Sequence, residues 1–234
     1  MDLALDEEGE IYTLGYPQET ALEGRGFFIL RCNYKGEPVG QIVPAGVPAE
    51  MQDFGPNILT YAGGRFYLVS STRMLVMVLD KTGTVERVFD LAEIAALEPE
   101  ARQDAQLGGF AVDPSGNMVF SIPIDFSVNV VSPDGKTHRR FGEAGSRPGQ
   151  FGVVAGVTTD SDGNIFVADR LRSVVILFDR NQKFVTELGG RDAREESLVG
   201  PIDLAVSKRG TLFVSQMRGR GVSVFRRAAQ GGQG

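Results

Sequence analysis

Cysteine, histidine and tryptophan are almost missing from the 234 residues: there is one cysteine, one histidine and no tryptophan. A single cysteine cannot form a disulfide within the chain, and one cysteine with one histidine cannot complete a structural zinc site. Cys32 lies in the apolar run "FFILRCNY", which favours a packed thiol over a nucleophile. His138 falls in a predicted outer strand, where we expect a surface side chain, and a Ser–His–Asp arrangement would need its histidine beside the nucleophile. The composition therefore gives no support for zinc, thiol or serine-hydrolase chemistry.

Long apolar runs and an excess of positive charge are also missing. No run approaches the roughly 20 apolar residues that span a bilayer. The N-terminus "MDLALDEEGEIY" lacks the basic start and apolar core of a signal peptide. The net charge is −6, which argues against non-specific nucleic-acid binding, because such binding depends on clustered Lys and Arg. Hydrophobic residues make up 42% of the chain and charged residues 23%, as is typical of a globular protein.

Glycines are abundant, and they mark an internal repeat. Five of them each precede a short β-prone run, such as "NIFVAD" or "TLFVSQ", at intervals of 55, 52, 47 and 47 residues. A later turn follows 19 residues after this glycine in copies two to four and 27 residues after it in copy one, which predicts an insertion around "YPQETALE". The five glycines of the first turn are Gly9, Gly64, Gly116, Gly163 and Gly210, and the later turns carry Gly36, Gly83, Gly135 and, in copy four, Gln182.

Each copy supplies four strands, which we call a, b, c and d. In copy four they are "AGVTTD", "NIFVAD", "SVVILFD" and "KFVTELG", separated by turns rich in Asp, Asn and Gly. A four-stranded antiparallel unit repeated every 40 to 50 residues is typical of a propeller blade. The sequence therefore predicts an all-β protein, a β-propeller of four-stranded antiparallel blades, over a single domain at 1–227 with a flexible tail at 228–234. The predicted blades are 2–43, 56–90, 108–142, 154–189 and 201–227.

Copy four also resembles a known family. Residues 149–189 are similar to an NHL repeat, which runs from a Gly-Gln-Phe approach through "G-hydrophobic-x-x-D-x-x-G-N-hydrophobic-hydrophobic-V-A-D" to a closing "V-F-D". Copies three and five match this pattern more loosely, and copies one and two match it mainly by spacing. The family often has an arginine at the start of strand c that ties blades together; Val174 stands there, so apolar packing is expected to replace it.

The resemblance implies six blades of the NHL, TolB-like type, whereas five repeats are visible. Copy five has no evident strand d, and residue 2 already belongs to strand a of copy one, so no N-terminal strand is left to complete the last blade. We expect either that upstream sequence is absent from this chain or that a five-bladed ring closes in another way. One helical insert is predicted at 90–107, because Asp90 and Glu93 form a capping-box-like start; Pro99 should interrupt it.

The connections on one side of the predicted propeller are long and dissimilar, and binding usually resides on such a side. This top face holds the b–c and d–a connections, and it gathers arginines whose guanidinium groups suit an acidic protein segment or an anionic ligand. An equally open interpretation is that these are ordinary solvated loops, partly neutralised by nearby Glu and Asp. The arginines are Arg73, Arg147, Arg170, Arg172, Arg191, Arg218 and Arg220.

A second candidate site lies near the predicted central axis. Counting seven residues back from each first-turn glycine gives Asp2, Asn57, Gly109, Gly156 and Asp203, which would form one ring at the entrance of the strands a. The oxygens of Asp2, Asn57 and Asp203 suit a hard cation such as calcium. Lactonase-type propellers hold a metal near their axis, which is a precedent by analogy only. The alternative is that Asp and Asn cap the turns where strands begin. Three oxygens are fewer than the 6–8 ligands that calcium takes.

The sequence favours a non-enzymatic scaffold without a cofactor that binds a protein or peptide through its top face. The first alternative is a calcium-dependent lactonase or hydrolase using the axial ring. The second is RNA binding by the arginine-bearing face, which the acidic net charge disfavours. Since bacterial proteins that resemble NHL propellers are often exported, we expect a periplasmic or extracellular location. The oligomeric state stays open.

Overall fold

The computed structural model describes residues 2–16, 26–51, 54–190, 197–217 and 219–226. Within them the chain forms five antiparallel sheets, one after another along the sequence, arranged as the blades of a β-propeller. Four sheets have four strands, and the described part of the fifth has three. In every sheet, strands adjacent in sequence are adjacent in space, as expected when each blade is a meander of hairpins. No helix among the described residues has the length and apolarity to cross a membrane.

The first three blades contain strands β1 to β12. Blade 1 consists of β1 (Leu3–Leu5), β2 (Ile11–Gly15), β3 (Phe28–Cys32) and β4 (Pro38–Ile42). Blade 2 consists of β5 (Ile58–Ala62), β6 (Arg65–Ser70), β7 (Leu75–Leu79) and β8 (Val85–Asp90). Blade 3 consists of β9 (Gly109–Val112), β10 (Met118–Ile122), β11 (Ser127–Val131) and β12 (His138–Phe141).

The last two blades contain strands β13 to β19. Blade 4 consists of β13 (Val154–Thr159), β14 (Ile165–Asp169), β15 (Val174–Phe178) and β16 (Phe184–Gly189). Blade 5 consists of β17 (Pro201–Val206), β18 (Leu212–Gln216) and β19 (Val222–Phe225). The predicted insertion in copy one lies, apart from Tyr16, outside the described residues, and so does the predicted tail at 228–234.

The apolar core lies between blades, because alternate residues of each strand face opposite neighbours. In strand β15, Ile176 packs toward blade 3 and Val175 packs toward blade 5, and neither is exposed. Four buried clusters join blade 1 to 2, 2 to 3, 3 to 4 and 4 to 5. Val174 is buried in the cluster between blades 3 and 4, so apolar packing does occupy the position where the NHL pattern has its arginine.

The connection between blades 2 and 3 is helical, as the sequence predicts. Helix α1 (Leu91–Ile94) begins at Asp90, whose carboxylate accepts the main-chain N–H of Glu93 at 3.0 Å. The helical insert is interrupted before Pro99, as predicted: α1 ends at Ile94, and Pro99 is the first residue of a second helix, α2 (Pro99–Asp104). Proline is well tolerated there, since the first helical residue needs no main-chain N–H.

The two rare side chains occupy packed positions. Cys32 is buried, as the apolar run around it predicts. The expectation of a surface His138 was wrong: the ring is half-buried, and its Nε2 lies 2.8 Å from Oδ1 of the buried Asn129. Burial, followed by the positive charge of Arg140, lowers the pKa of His138, so the ring is neutral near pH 7.

Candidate functional site

The two ends of the propeller differ in how their loops are built. On the bottom face the a–b and c–d turns satisfy their own polar groups: Asp179 Oδ1, for example, accepts the main-chain N–H groups of Asn181 at 2.8 Å and Lys183 at 2.9 Å. The hydrogen bond from Lys183 is the main reason that the pKa of Asp179 is lowered. Asp80 and Asp160 hold their turns in the same way. The top face instead carries longer connections with α1, α2 and short 3-10 turns.

The seven arginines predicted for the top face fall into three groups. Arg73, Arg170 and Arg220 are exposed in the b–c loops of blades 2, 4 and 5, and Arg147 is exposed in the connection from blade 3 to blade 4. Arg172 is half-buried and is described below. Arg191 and Arg218 lie outside the described residues. The cationic surface that the structure describes is therefore made by the first group.

Arg172 belongs to the internal architecture of blade 4. Its two terminal nitrogens donate to the carboxylate oxygens of Glu187 at 2.8 and 2.7 Å, and one of them also donates to the main-chain carbonyl of Gln150 at 2.7 Å. This bidentate geometry joins the b–c loop to strand β16 and to the preceding d–a connection. We therefore separate Arg172 from the exposed arginines, because its guanidinium group is already engaged.

A buried carboxylate that sequence reasoning left without a role positions the same loops. Asp169 ends β14, and its side chain accepts the main-chain N–H groups of Gly152 at 2.6 Å, Val153 at 3.1 Å and Arg172 at 2.9 Å. These bonds fix the d–a connection and the b–c loop of blade 4 against each other. The signal that could have revealed it is the closing Asp of "NIFVAD", a charged residue at the end of an otherwise apolar strand.

Sequence reasoning also missed three apolar side chains on this face. Ile124, Leu171 and Met217 lie in the b–c loops of blades 3, 4 and 5, and each is exposed. Leu171 lies between Arg170 and Arg172 in the chain, so apolar and cationic side chains alternate there. Large apolar residues in three successive b–c loops are the signal that could have identified them. We call Ile124, Leu171, Met217 and the exposed Arg147, Arg170 and Arg220 the top-face patch.

The axial residues line a cavity of about 540 Å³ that is walled by the strands a of all five blades. The side chains of Asp2 and Asn57 make hydrogen bonds with protein groups at the wall of this cavity. Asp2 accepts the N–H of Leu3 with one oxygen and the N–H of Leu59, in blade 2, with the other, both at 2.9 Å. Asn57 exchanges hydrogen bonds with the N–H and hydroxyl of Ser71. The structure thus brings both residues to the channel and gives each a strand-fixing role.

The predicted ring needs a correction in blade 2. Asp2 lies just before the paired residues of β1. In blades 3 and 5, Gly109 and Asp203 each pair with the residue that lies five positions after the a–b glycine. In blade 2 the residue that makes the equivalent pair is Ile58, not Asn57. The reason is the turn: Gly63 and Gly64 form a two-residue connection, whereas the other a–b connections have five residues. Counting back from the glycine is therefore one residue off in this blade.

Asp203 differs from Asp2 because only one of its carboxylate oxygens has a donor among the described residues, the N–H of Leu204 at 2.9 Å. The Asp203 residue is exposed, but the protein atoms around its carboxyl reduce the solvation of that group and so raise its pKa, and the charge of Asp2 adds to the rise. Within the described residues no group of three or more His, Cys, Asp or Glu side chains is placed to hold a metal ion. The calcium site stays a hypothesis that would rest on Asp203 and displaced Asp2 and Asn57 oxygens.

Comparisons with known proteins show the fold alone. No family model and no curated protein matches the chain. Among solved structures, it is similar to virginiamycin B lyase from Staphylococcus aureus (14% identity, TM-score 0.59, covering 98% of this chain and 70% of that one). It is also similar to a chain of a nidogen/laminin complex (18%, 0.63, 95% and 74%) and to a putative 6-phosphogluconolactonase from Bacteroides uniformis (16%, 0.58, 98% and 68%). At such identities, the names of these propellers do not transfer to this chain.

Proposed function

We propose that the protein is a propeller scaffold that binds an acidic, amphipathic segment of another protein through the top-face patch. The observation that carries the proposal is the repetition of one exposed apolar side chain in three successive b–c loops, with exposed arginines beside them. Large apolar residues exposed together on one face favour an interaction surface. The nidogen/laminin complex supports it only as an example of a similar fold found in a protein complex.

The chemistry of the patch defines the partner. Arg147, Arg170 and Arg220 would pair with carboxylates, and Leu171 and Met217 would contact apolar side chains between them. Beneath the loops, the network of Asp169 holds Leu171 and its neighbours in place, so little loop ordering is needed on binding. A rigid presentation of a few anchors is what gives a small interface useful affinity.

Selection from a library of random peptides tests this proposal. We expect the selected peptides to be enriched in Asp and Glu next to Leu, Phe or Tyr, and their affinity to fall at least tenfold for Arg170→Ala/Leu171→Ser. A tenfold loss corresponds to about 1.4 kcal/mol, within the range of an interface anchor. The matched control is Val185→Ser, an equally exposed apolar residue on strand β16 away from the top loops. Peptides that bind the double variant and the control equally well would refute the proposal.

Calcium binding at the channel is the second candidate, and one observation favours it: Asp2 and Asp203 line the same cavity closely enough for the charge of Asp2 to raise the pKa of Asp203. Two such carboxylates repel each other, and a cation between them would relieve that repulsion. The lactonase-like or hydrolase-like alternative depends on this calcium site. We expect millimolar calcium to raise the melting temperature of the wild type and not that of Asp203→Ala. No shift in the wild type would remove the candidate.

A further inference from the structure

The bottom face has a cavity beside the shortest turn of the propeller. Strands β5 and β6 of blade 2 are joined by Gly63 and Gly64 alone, whereas the other a–b connections have five residues. A Cβ placed on Gly63 would meet no described protein atom within 4 Å, so this point of the wall is open. Next to the short turn, blades 2 and 3 border a cavity of about 500 Å³ that extends to the a–b turns of blades 4 and 5. We call it the blade 2–3 cavity.

The deeper wall of this cavity is apolar. Tyr67, Val78 and Phe89 line it from blade 2, and Val112 and Met118 line it from blade 3. All five belong to the cluster that joins these two blades, so they are held in place by the packing of the fold. The register explains the contribution of blade 2, because Tyr67 and Val78 are direct cross-strand partners on one side of the sheet. The wall can therefore contact an aromatic ring or a short alkyl group.

Two exposed arginines of blade 2 also line the cavity. The register of β6, β7 and β8 places Arg65 and Arg87 on the side of the sheet that carries Tyr67. Arg87 donates one hydrogen bond to the main-chain carbonyl of Pro133 in blade 3 at 2.6 Å, and Arg65 Nε donates to the carboxylate of Glu86 at 2.6 Å. Each guanidinium group keeps further N–H donors that no described protein group accepts.

The phenol of Tyr67 is a third donor near these arginines. Its hydroxyl makes no hydrogen bond with the described residues, although the ring is buried. Burial raises the pKa of Tyr67, and the positive charges of Arg65 and Arg87 oppose that rise, so both guanidinium groups lie close to the phenol. The hydroxyl is therefore protonated at neutral pH and can donate. An apolar wall with a few polar groups beside it is typical of a small-molecule site.

The charges around the cavity favour a ligand with a single negative charge. Lys208 and the two arginines are balanced by the carboxylates of Glu86, Asp113 and Asp160, which also line it. Asp113 and Asp160 already accept main-chain N–H groups of their own turns, and Glu86 accepts Arg65, so the acidic groups are engaged while the guanidinium donors are not used up. A second negative charge on the ligand would meet these carboxylates and be repelled. A monocarboxylate fits this balance better than a phosphate dianion.

We propose that the blade 2–3 cavity binds a small monocarboxylate that carries an aromatic ring. The carboxylate accepts from Arg87 and from the Tyr67 hydroxyl, and the ring packs on Phe89 and Met118. Charge-assisted hydrogen bonds at the mouth orient the ligand, while burial of the ring supplies apolar contact. The cavity lies at the opposite end of the propeller from the top-face patch, so this site and the proposed function stand or fall separately.

Isothermal titration calorimetry of the full chain with phenylacetate and with its uncharged amide, phenylacetamide, tests the site. We expect phenylacetate to bind the wild type in the micromolar to millimolar range and phenylacetamide to bind at least about tenfold more weakly, because the amide cannot pair with a guanidinium group. Arg87→Gln should weaken phenylacetate binding about tenfold, and Tyr67→Phe about threefold. Both variants should melt close to the wild-type temperature, because Arg87 is exposed and the Tyr67 hydroxyl has no internal hydrogen bond to lose.

Arg139→Gln is the matched control. Arg139 pairs with Val130 in blade 3 as Arg87 pairs with Val78 in blade 2, and it is also exposed, but it does not line the cavity. Its affinity for phenylacetate should equal that of the wild type. Failure of the wild type to bind phenylacetate at millimolar concentration would overturn the proposal, as would equally tight binding of phenylacetamide. Equal losses for Arg87→Gln and Arg139→Gln would show general charge attraction and reject the site.

Discussion

The inner blades and the two end blades are built from the same repeat but are stabilised differently. Blades 2, 3 and 4 bury both sides of their sheets, whereas blades 1 and 5 bury one side each. The strands themselves do not explain this, because β15 and β19 have the same register and similar β-branched residues. The difference lies in the neighbours. In a repeat protein each unit gains stability mainly from its interfaces, so the units with one interface should be the weakest.

The largest difference in stability should come from truncating the equivalent valine in an inner blade and in an end blade. Val175→Ala should lower the free energy of unfolding by roughly 1.5–3 kcal/mol, because Val175 is fully buried between blades 4 and 5. Val222→Ala removes the same methyl groups at the equivalent position and should change it by less than about 0.5 kcal/mol at low protein concentration. Urea denaturation measures both. Equal losses would mean that the open side of blade 5 is covered and that the comparison fails.

A shielded ion pair of blade 4 and an exposed ion pair of blade 1 give a second comparison. Arg172 and Glu187 of blade 4 have side chains only 15% and 20% exposed, while Arg31 and Glu10 of blade 1 are 49% and 40% exposed and 3.5 Å apart. Glu187→Gln should cost about 1.5–3 kcal/mol, because it leaves a shielded guanidinium group without its charged partner. Glu10→Gln should cost less than about 0.5 kcal/mol, since water screens the pair. Chemical denaturation of both variants checks the difference, and a loss for Glu10→Gln as large as that for Glu187→Gln would contradict it.

The fold could be predicted from the sequence because its signals are local and periodic. Turn glycines and alternating apolar strands fix the blades, and the Asp90 and Glu93 pattern fixes the start of α1. The errors arose where one residue changes a local geometry. The two-residue turn at Gly63 and Gly64 shifted the ring position from Asn57 to Ile58.

The candidate site was less predictable, because the role of a loop side chain depends on contacts with residues that are distant in sequence. Composition alone could not separate Arg172 from Arg170, since what distinguishes them is Glu187 on a different strand. The role of Asp169 depends on main-chain groups 16 and 17 residues earlier. The uncovered sides of blades 1 and 5 were also invisible, because the exposed Leu3 and Val222 look like any core residue until the neighbouring blade is known. Periodicity thus predicts the repeat, whereas the ends and the loops require the structure.

The smallest effect on stability should come from His138, a partly buried polar side chain of the inner blade 3. In blade 3, Nε2 of His138 donates a hydrogen bond to Oδ1 of the buried Asn129, and burial together with the charge of Arg140 lowers the pKa of His138 below the ordinary 6.5. Protonation therefore favours the unfolded chain, so this residue should cost stability as the pH falls below 6.5 toward its folded pKa and should have no effect above that range. His138→Gln keeps a polar partner for Asn129 but cannot titrate. Comparing melting temperatures between neutral and mildly acidic pH should give a shallower acid loss for the variant. Identical pH profiles would show that His138 is as hydrated as a residue on an end blade, and that blade 3 does not shield its polar groups.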